Sequence, residues 1–255
     1  MVSVRASLLL RCLAVSLLAV AVGTALLTVS NIYLYGNELS DLLVFNIPAI
    51  MAGNLIVVCA LLLFAYRWIG RPADKEDAVR RLSALPNRMF AGVLAISAVM
   101  SLLYHSAETA FFGMRALEDS LSNLMGEMTV ALIIGTLIFA LCRRAVRPQL
   151  VKLYAERRVP GQSSGFVAPL AVAAVSCFLI VAAAGVVFAA QFDAGRTNLA
   201  DLAVVLAVRA LFCLVVFSLL VFEVRNDVAA VLEQTRALIR GDAEAMRSPI
   251  PVVSQ

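Results

Sequence analysis

Six apolar stretches of membrane-spanning length limit this chain more than any other feature of its sequence. They cover about 8–29, 42–66, 89–107, 124–142, 167–190 and 202–222, each close to or above the roughly 20 residues that a spanning helix needs. Hydrocarbon offers no hydrogen bonds, so backbone groups there must be satisfied within their own segment. The expected fold is therefore all-α, a polytopic membrane protein of six transmembrane helices. Composition agrees: 62% of the residues are hydrophobic and mean hydropathy is +0.93, leaving too little polar surface to cover a soluble globule. Arg5 and Arg11 ahead of the first stretch raise the question of a secretion signal, with small residues near Gly23 and Ala25. The run from Cys12 to Ser30 exceeds a signal core of about 7 to 15 residues, so it is read as a retained helix.

Basic residues orient the layout. All Lys and Arg residues except Arg115, Arg196 and Arg209 fall at the N-terminus, after the second stretch, after the fourth, or in the tail. By the positive-inside rule these are the cytoplasmic segments, and both termini are cytoplasmic. The net charge of +4 comes mainly from arginine, which suits anionic lipid headgroups and, so placed, gives no nucleic-acid signal. The outer segments, Asn31 to Asp41, Glu108 to Asn123 and Gln191 to Asp201, are too short to fold as ligand-binding domains. A stimulus would be read within the membrane, at its outer surface, or by a partner.

The two cytoplasmic loops resemble each other: Arg67 and Arg71-Pro72 recur as Arg143 and Arg147-Pro148, and Arg80-Arg81 with Leu85-Pro86 recurs loosely as Arg157-Arg158 with Pro160. A duplicated helical hairpin would give this pattern. So would juxtamembrane chemistry, with Arg anchoring a helix end and Pro stopping it.

Few residues are placed to do chemistry. Arg209 lies inside the sixth stretch, about 10 to 12 Å from its outer end by helical rise. An isolated charge at mid-membrane costs at least ~2.5 kcal/mol, so a partner is expected, and Glu127, entering the fourth stretch from the same side, is the candidate. Such an ion pair would either shift the last helix on breaking or serve as a static bridge. In the second stretch, Asn46 and Asn54 share a face near Pro48 and Gly53, suited to interhelical hydrogen bonding, and in the fifth stretch Ala182 to Gly185 with Ala189 form a small-residue face for close packing. The outer side is acidic: Glu38, Asp41, Glu108, Glu118, Asp119, Asp193 and Asp201. His105 with Glu108 is a possible outer sensing site, because imidazole changes charge in the physiological range; an interfacial anchor is the plainer reading. Cys12, Cys59, Cys142, Cys177 and Cys213 form no C-x-x-C pair and read as small buried hydrophobes. No catalytic motif, metal-ligand set or cofactor loop is present in the sequence.

The last apolar stretch passes into a charged segment without an intervening Gly or Pro, from Leu202 to Arg240. As one helix this is roughly 55 to 60 Å long, more than the bilayer requires. Val228, Val231, Leu232, Thr235, Leu238 and Ile239 follow the 3,4 spacing of a coiled-coil seam, and Gly241-Asp242 stops it. From Asp227 onward the chain resembles the first helix and connector of a HAMP domain, in its seam helix, its Gly241-Asp242 stop and its extended Pro249-Ile250-Pro251-Val252-Val253 run. Asp227 stands where HAMP helices often have proline. Six short-looped helices followed by such a segment resemble the membrane half of bacterial class III adenylate cyclases of the six-span HAMP type.

The resemblance implies a transmembrane domain over 1–222 and a partial HAMP-like segment over 223–255. It further implies a parallel homodimer in the bacterial inner membrane and a cytoplasmic output domain. Histidine kinases and chemoreceptors carry the same module. A transporter or channel subunit, pointed to by the loop repeat and Arg209, and a structural membrane protein are the competing classes.

Overall fold

The computed structural model describes residues 2–35, 47–70, 72, 74–112, 117–157, 167–193, 195 and 197–240. These form six helices and no strand: α1 (Val2–Tyr35), α2 (Ile47–Ile69), α3 (Lys75–Phe112), α4 (Leu117–Arg157), α5 (Val167–Asp193) and α6 (Leu199–Ile239). Each contains a segment long and apolar enough to cross a membrane. Residues 42–46, at the start of the second expected span, lie outside the described residues.

Helices adjacent in sequence pack side by side, and α1 against α6 closes the ring; α1 also meets α4 across the middle. Short connections between antiparallel helices favour this order. α4 takes the interior position: from Thr129 to Ala140 every residue except Leu132 is buried. One core continues through Leu8 and Cys12 of α1, Leu61 of α2, Met89 and Val93 of α3, Phe139 of α4 and Val216 of α6. A smaller cluster of Leu34, Ala184, Val187, Phe188 and Val205 joins α1, α5 and α6 towards the expected outer end. The outward faces remain apolar, with Leu10, Leu103, Phe178, Leu211 and Leu214 all exposed. An apolar jacket of this extent is suited to lipid.

Local chemistry sets the helix ends. Asp74 caps α3 by accepting from the Asp77 amide at 2.7 Å, and Glu76 and Asp77 complement the helix dipole. At α6, Asn198 Oδ1 accepts from the amides of Ala200 and Asp201, and Asp201 Oδ2 accepts back from the Asn198 amide, a reciprocal capping box. Gly195, with φ of 69°, makes the turn before it.

Two sequence expectations change. Pro86 and Pro148, read as stops, lie inside α3 and α4. Each removes one backbone hydrogen bond, and around Pro86 burial of Leu82, Leu85 and Met89 holds the helix through that defect. The two loop arginines also differ in role, since Arg67 is exposed near the end of α2 and Arg143 is buried where α4 continues to Arg157. The likeness of the loops is therefore not a likeness of structure.

At Gly23 the α1–α4 contact needs glycine: a Cβ there would come within 2.5 Å of Ile134 Cγ1, whereas at Gly53 it would meet nothing within 4 Å. Overpacking costs about 1–3 kcal/mol, against a helix-propensity gain of about 1 kcal/mol for Gly to Ala. Gly23→Ala is expected to lower the thermal unfolding midpoint of the detergent-solubilised protein, and Gly53→Ala to hold or raise it. Equal midpoints for the two variants would contradict this packing.

Candidate functional site

Charged groups among the apolar spans of the described residues gather at three stations, two of them on α6. At the first, Arg209 is only 5% exposed. Its Nη1 donates to the Ile180 carbonyl at 2.7 Å and its Nη2 to Ser30 Oγ at 3.2 Å. Ser30 in turn donates to the Leu26 carbonyl. One cation thus ties α6 to α5 and α1, and hydrogen bonds to a charged group contribute about 1.5–3 kcal/mol each. Beside it lies a cavity of about 10 Å³ lined in part by Ser30, Gly126, Thr129 and Arg209, the scale of a single water.

The second station is Glu127. Ser101 Oγ donates to Glu127 Oε2, and His105 Nε2 lies 3.4 Å from Glu127 Oε1. Ser101 and His105 are four residues apart on α3, hence on one face, and the Tyr104 ring meets His105 edge-on with centroids 5.5 Å apart.

The expected pairing of Arg209 with Glu127 is therefore replaced. Helical phase gives the reason: Gly126 and Thr129 line the Arg209 cavity, and successive residues on an α-helix are turned by about 100°. Glu127 accordingly faces α3. Of the possible outer sensing residues, His105 is brought to Glu127, while the side chain of Glu108 lies outside the described residues.

The third station went unread in the sequence. Arg143 Nε of α4 lies 3.6 Å from Glu223 Oε2 of α6, with side chains 9% and 12% exposed. The Arg143 guanidinium also sits 5.7 Å from the Phe139 ring centroid. The available signal was a carboxylate placed directly after the last apolar stretch. Ser30 and Ser101 carried no signal, being single hydroxyls in apolar helices.

Other candidates fall as follows. Of the small residues from Ala182 to Gly185 and Ala189, Ala183 and Ala184 are buried, while Ala182, Gly185 and Ala189 face outward. The side-chain nitrogen of Asn54 is buried without a hydrogen-bond partner among the described residues, and Asn46 lies outside them. Cys59 is exposed, in contrast to the expected burial. The thiols of Cys12 and Cys142 meet between α1 and α4, and those of Cys177 and Cys213 between α5 and α6. Among the described residues no group of three His, Cys, Asp or Glu side chains is placed to hold a metal.

Beyond Glu223, α6 continues as helix through Ile239. Val228, Leu232 and Ile239 are 39%, 51% and 80% exposed, and Thr235 is exposed. The side chains of Val231 and Leu238, together with Gly241 and Asp242, lie outside the described residues. Compared with protein-family models, curated proteins and solved structures, the chain matches none of them.

Double-mutant cycles check the rearranged pairing. Contacting residues couple by about 0.5–3 kcal/mol, and separated ones add within about 0.3–0.5 kcal/mol. Unfolding of the solubilised protein is expected to show coupling for Ser101→Ala with Glu127→Gln, and additivity for Arg209→Gln with Glu127→Gln. Coupling in the second cycle would restore the discarded pair.

Proposed function

We propose that this chain is the membrane-anchoring and regulatory region of a signalling receptor, passing conformational change through α6 to a cytoplasmic output domain. The observation that carries the reading is the form of α6. It is one uninterrupted helix from Leu199 to Ile239, held in the bundle through Arg209 and Glu223. Past that point it presents an exposed apolar seam at Val228, Leu232 and Ile239. A stiff rod gripped at two levels moves as a unit, so displacement in the bundle reaches the seam. Exposed seam residues at 3,4 spacing call for a second helix, and a second copy in parallel provides one with the same pattern. The paired stalk would then be the element with two arrangements that the membrane region biases.

The resemblance of the last residues to a HAMP segment supports an output of the adenylate or guanylate cyclase kind. It is compatible also with a histidine kinase or chemoreceptor. In this reading both termini face the cytoplasm of a bacterial cell, and catalysis belongs to the output domain.

Single cysteines placed at Val228, Leu232, Thr235 and Ile239 of the full chain in membranes are expected to cross-link between copies under mild oxidation. Those at Asn226 and Glu233, which lie on the opposite face of the helix, are expected to stay monomeric. Uniform cross-linking along the helix, or none, would remove the paired stalk and the relay with it.

A further inference from the structure

We infer that the corner between α2 and α3 is a binding site for the phosphate of an anionic phospholipid, with Arg88 as its ligand-binding cation. This rests on the chain being membrane-embedded, and not on the relay.

Trp68 lies in the last turn of α2 and is fixed there by a reciprocal pair of hydrogen bonds: its Nε1 donates to the Arg81 carbonyl at 2.9 Å, and Arg81 Nη1 donates to the Trp68 carbonyl at 3.1 Å. Two guanidinium groups flank the indole, with Arg88 at 4.6 Å from its centroid and Arg81 at 5.8 Å. Their electrostatic situations differ. Arg81 is ion-paired at 2.7 Å to Asp77, a carboxylate it shares with Arg80 at 2.9 Å. Arg88 is exposed, and the indole is its contact among the described residues, with no acceptor for its N–H groups.

A guanidinium held over a fixed ring at 4.6 Å has already lost much of its side-chain freedom and keeps its fork of donors available. That arrangement suits bidentate recognition of phosphate. Its depth selects the source of the phosphate. Arg88 directly precedes the apolar part of α3, and Met89 beside it touches Cys142 at the end of the apolar part of α4, sulfur to sulfur at 4.0 Å. Arg67 and Arg144, next to this level on α2 and α4, are likewise exposed and have no carboxylate partner among the described residues. On the apolar side of Trp68, α2 leaves Leu63 and Tyr66 exposed, a surface for acyl chains. A cation layer at the apolar boundary with a tryptophan in it is the setting of a lipid headgroup.

Trp68 is the single tryptophan of the chain, so it reports on its own site. The full chain is reconstituted in phosphatidylcholine vesicles containing a minor fraction of either phosphatidylglycerol or phosphatidylcholine brominated on the acyl chains, since bromine quenches indole only at contact. Per quencher, brominated phosphatidylglycerol is expected to quench about fivefold more strongly, the preference that one basic residue confers near an anionic surface. Arg88→Gln is expected to bring the two lipids to parity, and Arg80→Gln, whose guanidinium is held on Asp77 and makes no indole contact among the described residues, to leave the preference intact.

Parity in the unaltered chain, or a preference that survives Arg88→Gln, would overturn the site. Loss of the preference on adding inorganic phosphate would mark a soluble-phosphate site and overturn the lipid assignment. Failure of either brominated lipid to quench Trp68 would refute the membrane placement itself, whereas loss of seam cross-linking would leave this proposal standing.

Discussion

Burial of α4 on all sides is the constraint on which the rest of the structure depends. A helix enclosed by other helices has no lipid-facing stripe, so almost everything from Thr129 to Ala140 must fit neighbours on α1, α3, α5 and α6. Small residues on or facing α4 permit the approach: Gly23 meets Ile134, and Gly135 meets Phe90. Lipid chains are as apolar as leucine, so hydrophobicity does little to draw helices together inside a bilayer, and such packing takes its place. α1, α3, α5 and α6 are arranged as they are because α4 presents a different set of shapes to each, and α2 packs on α1 and α3 outside them.

α6 belongs to this bundle differently. Its contacts within the spanning region include two charged attachments, Arg209 to α5 and α1, and Glu223 to Arg143 of α4. Both are costly to break in a low dielectric, because the group left behind loses its partner without gaining water. They fix rotation and depth of the helix in a way that apolar packing alone would leave loose. The helix then leaves the bundle with its geometry already set, which makes its exposed continuation a defined surface. The Thr197 hydroxyl, bonded to the Tyr33 carbonyl, pins the N-terminal end of the same helix to α1.

At the opposite boundary the arginines divide into two kinds. Arg81 and Arg143 are paired to carboxylates and belong to the fold. Arg88, stacked on Trp68, is turned to what lies outside. Residues indistinguishable in a positive-inside count thus do different work, and the carboxylates at Asp77 and Glu223 decide which is which.

The number of helices and their apolar cores followed from hydropathy, because a run of apolar residues long enough to span leaves the backbone no alternative to helix. Continuity of α6 past Phe222 followed for the same local reason, in the absence of any breaking residue. Local rules fell short where tertiary packing outweighed them: Pro86 and Pro148 lie inside helices, and of the small residues from Ala182 to Gly185 only Ala183 and Ala184 turn inward. The polar pairs were legible as residue types and illegible as partners. Arg209 announced itself by its place in an apolar run, but a serine and a backbone carbonyl are among its acceptors, groups with no sequence signature. Glu127 was at the right depth and on the wrong face. Depth is set by position along a helix, which the sequence contains; facing is set by how six helices rotate to pack, and that only the assembled bundle decides.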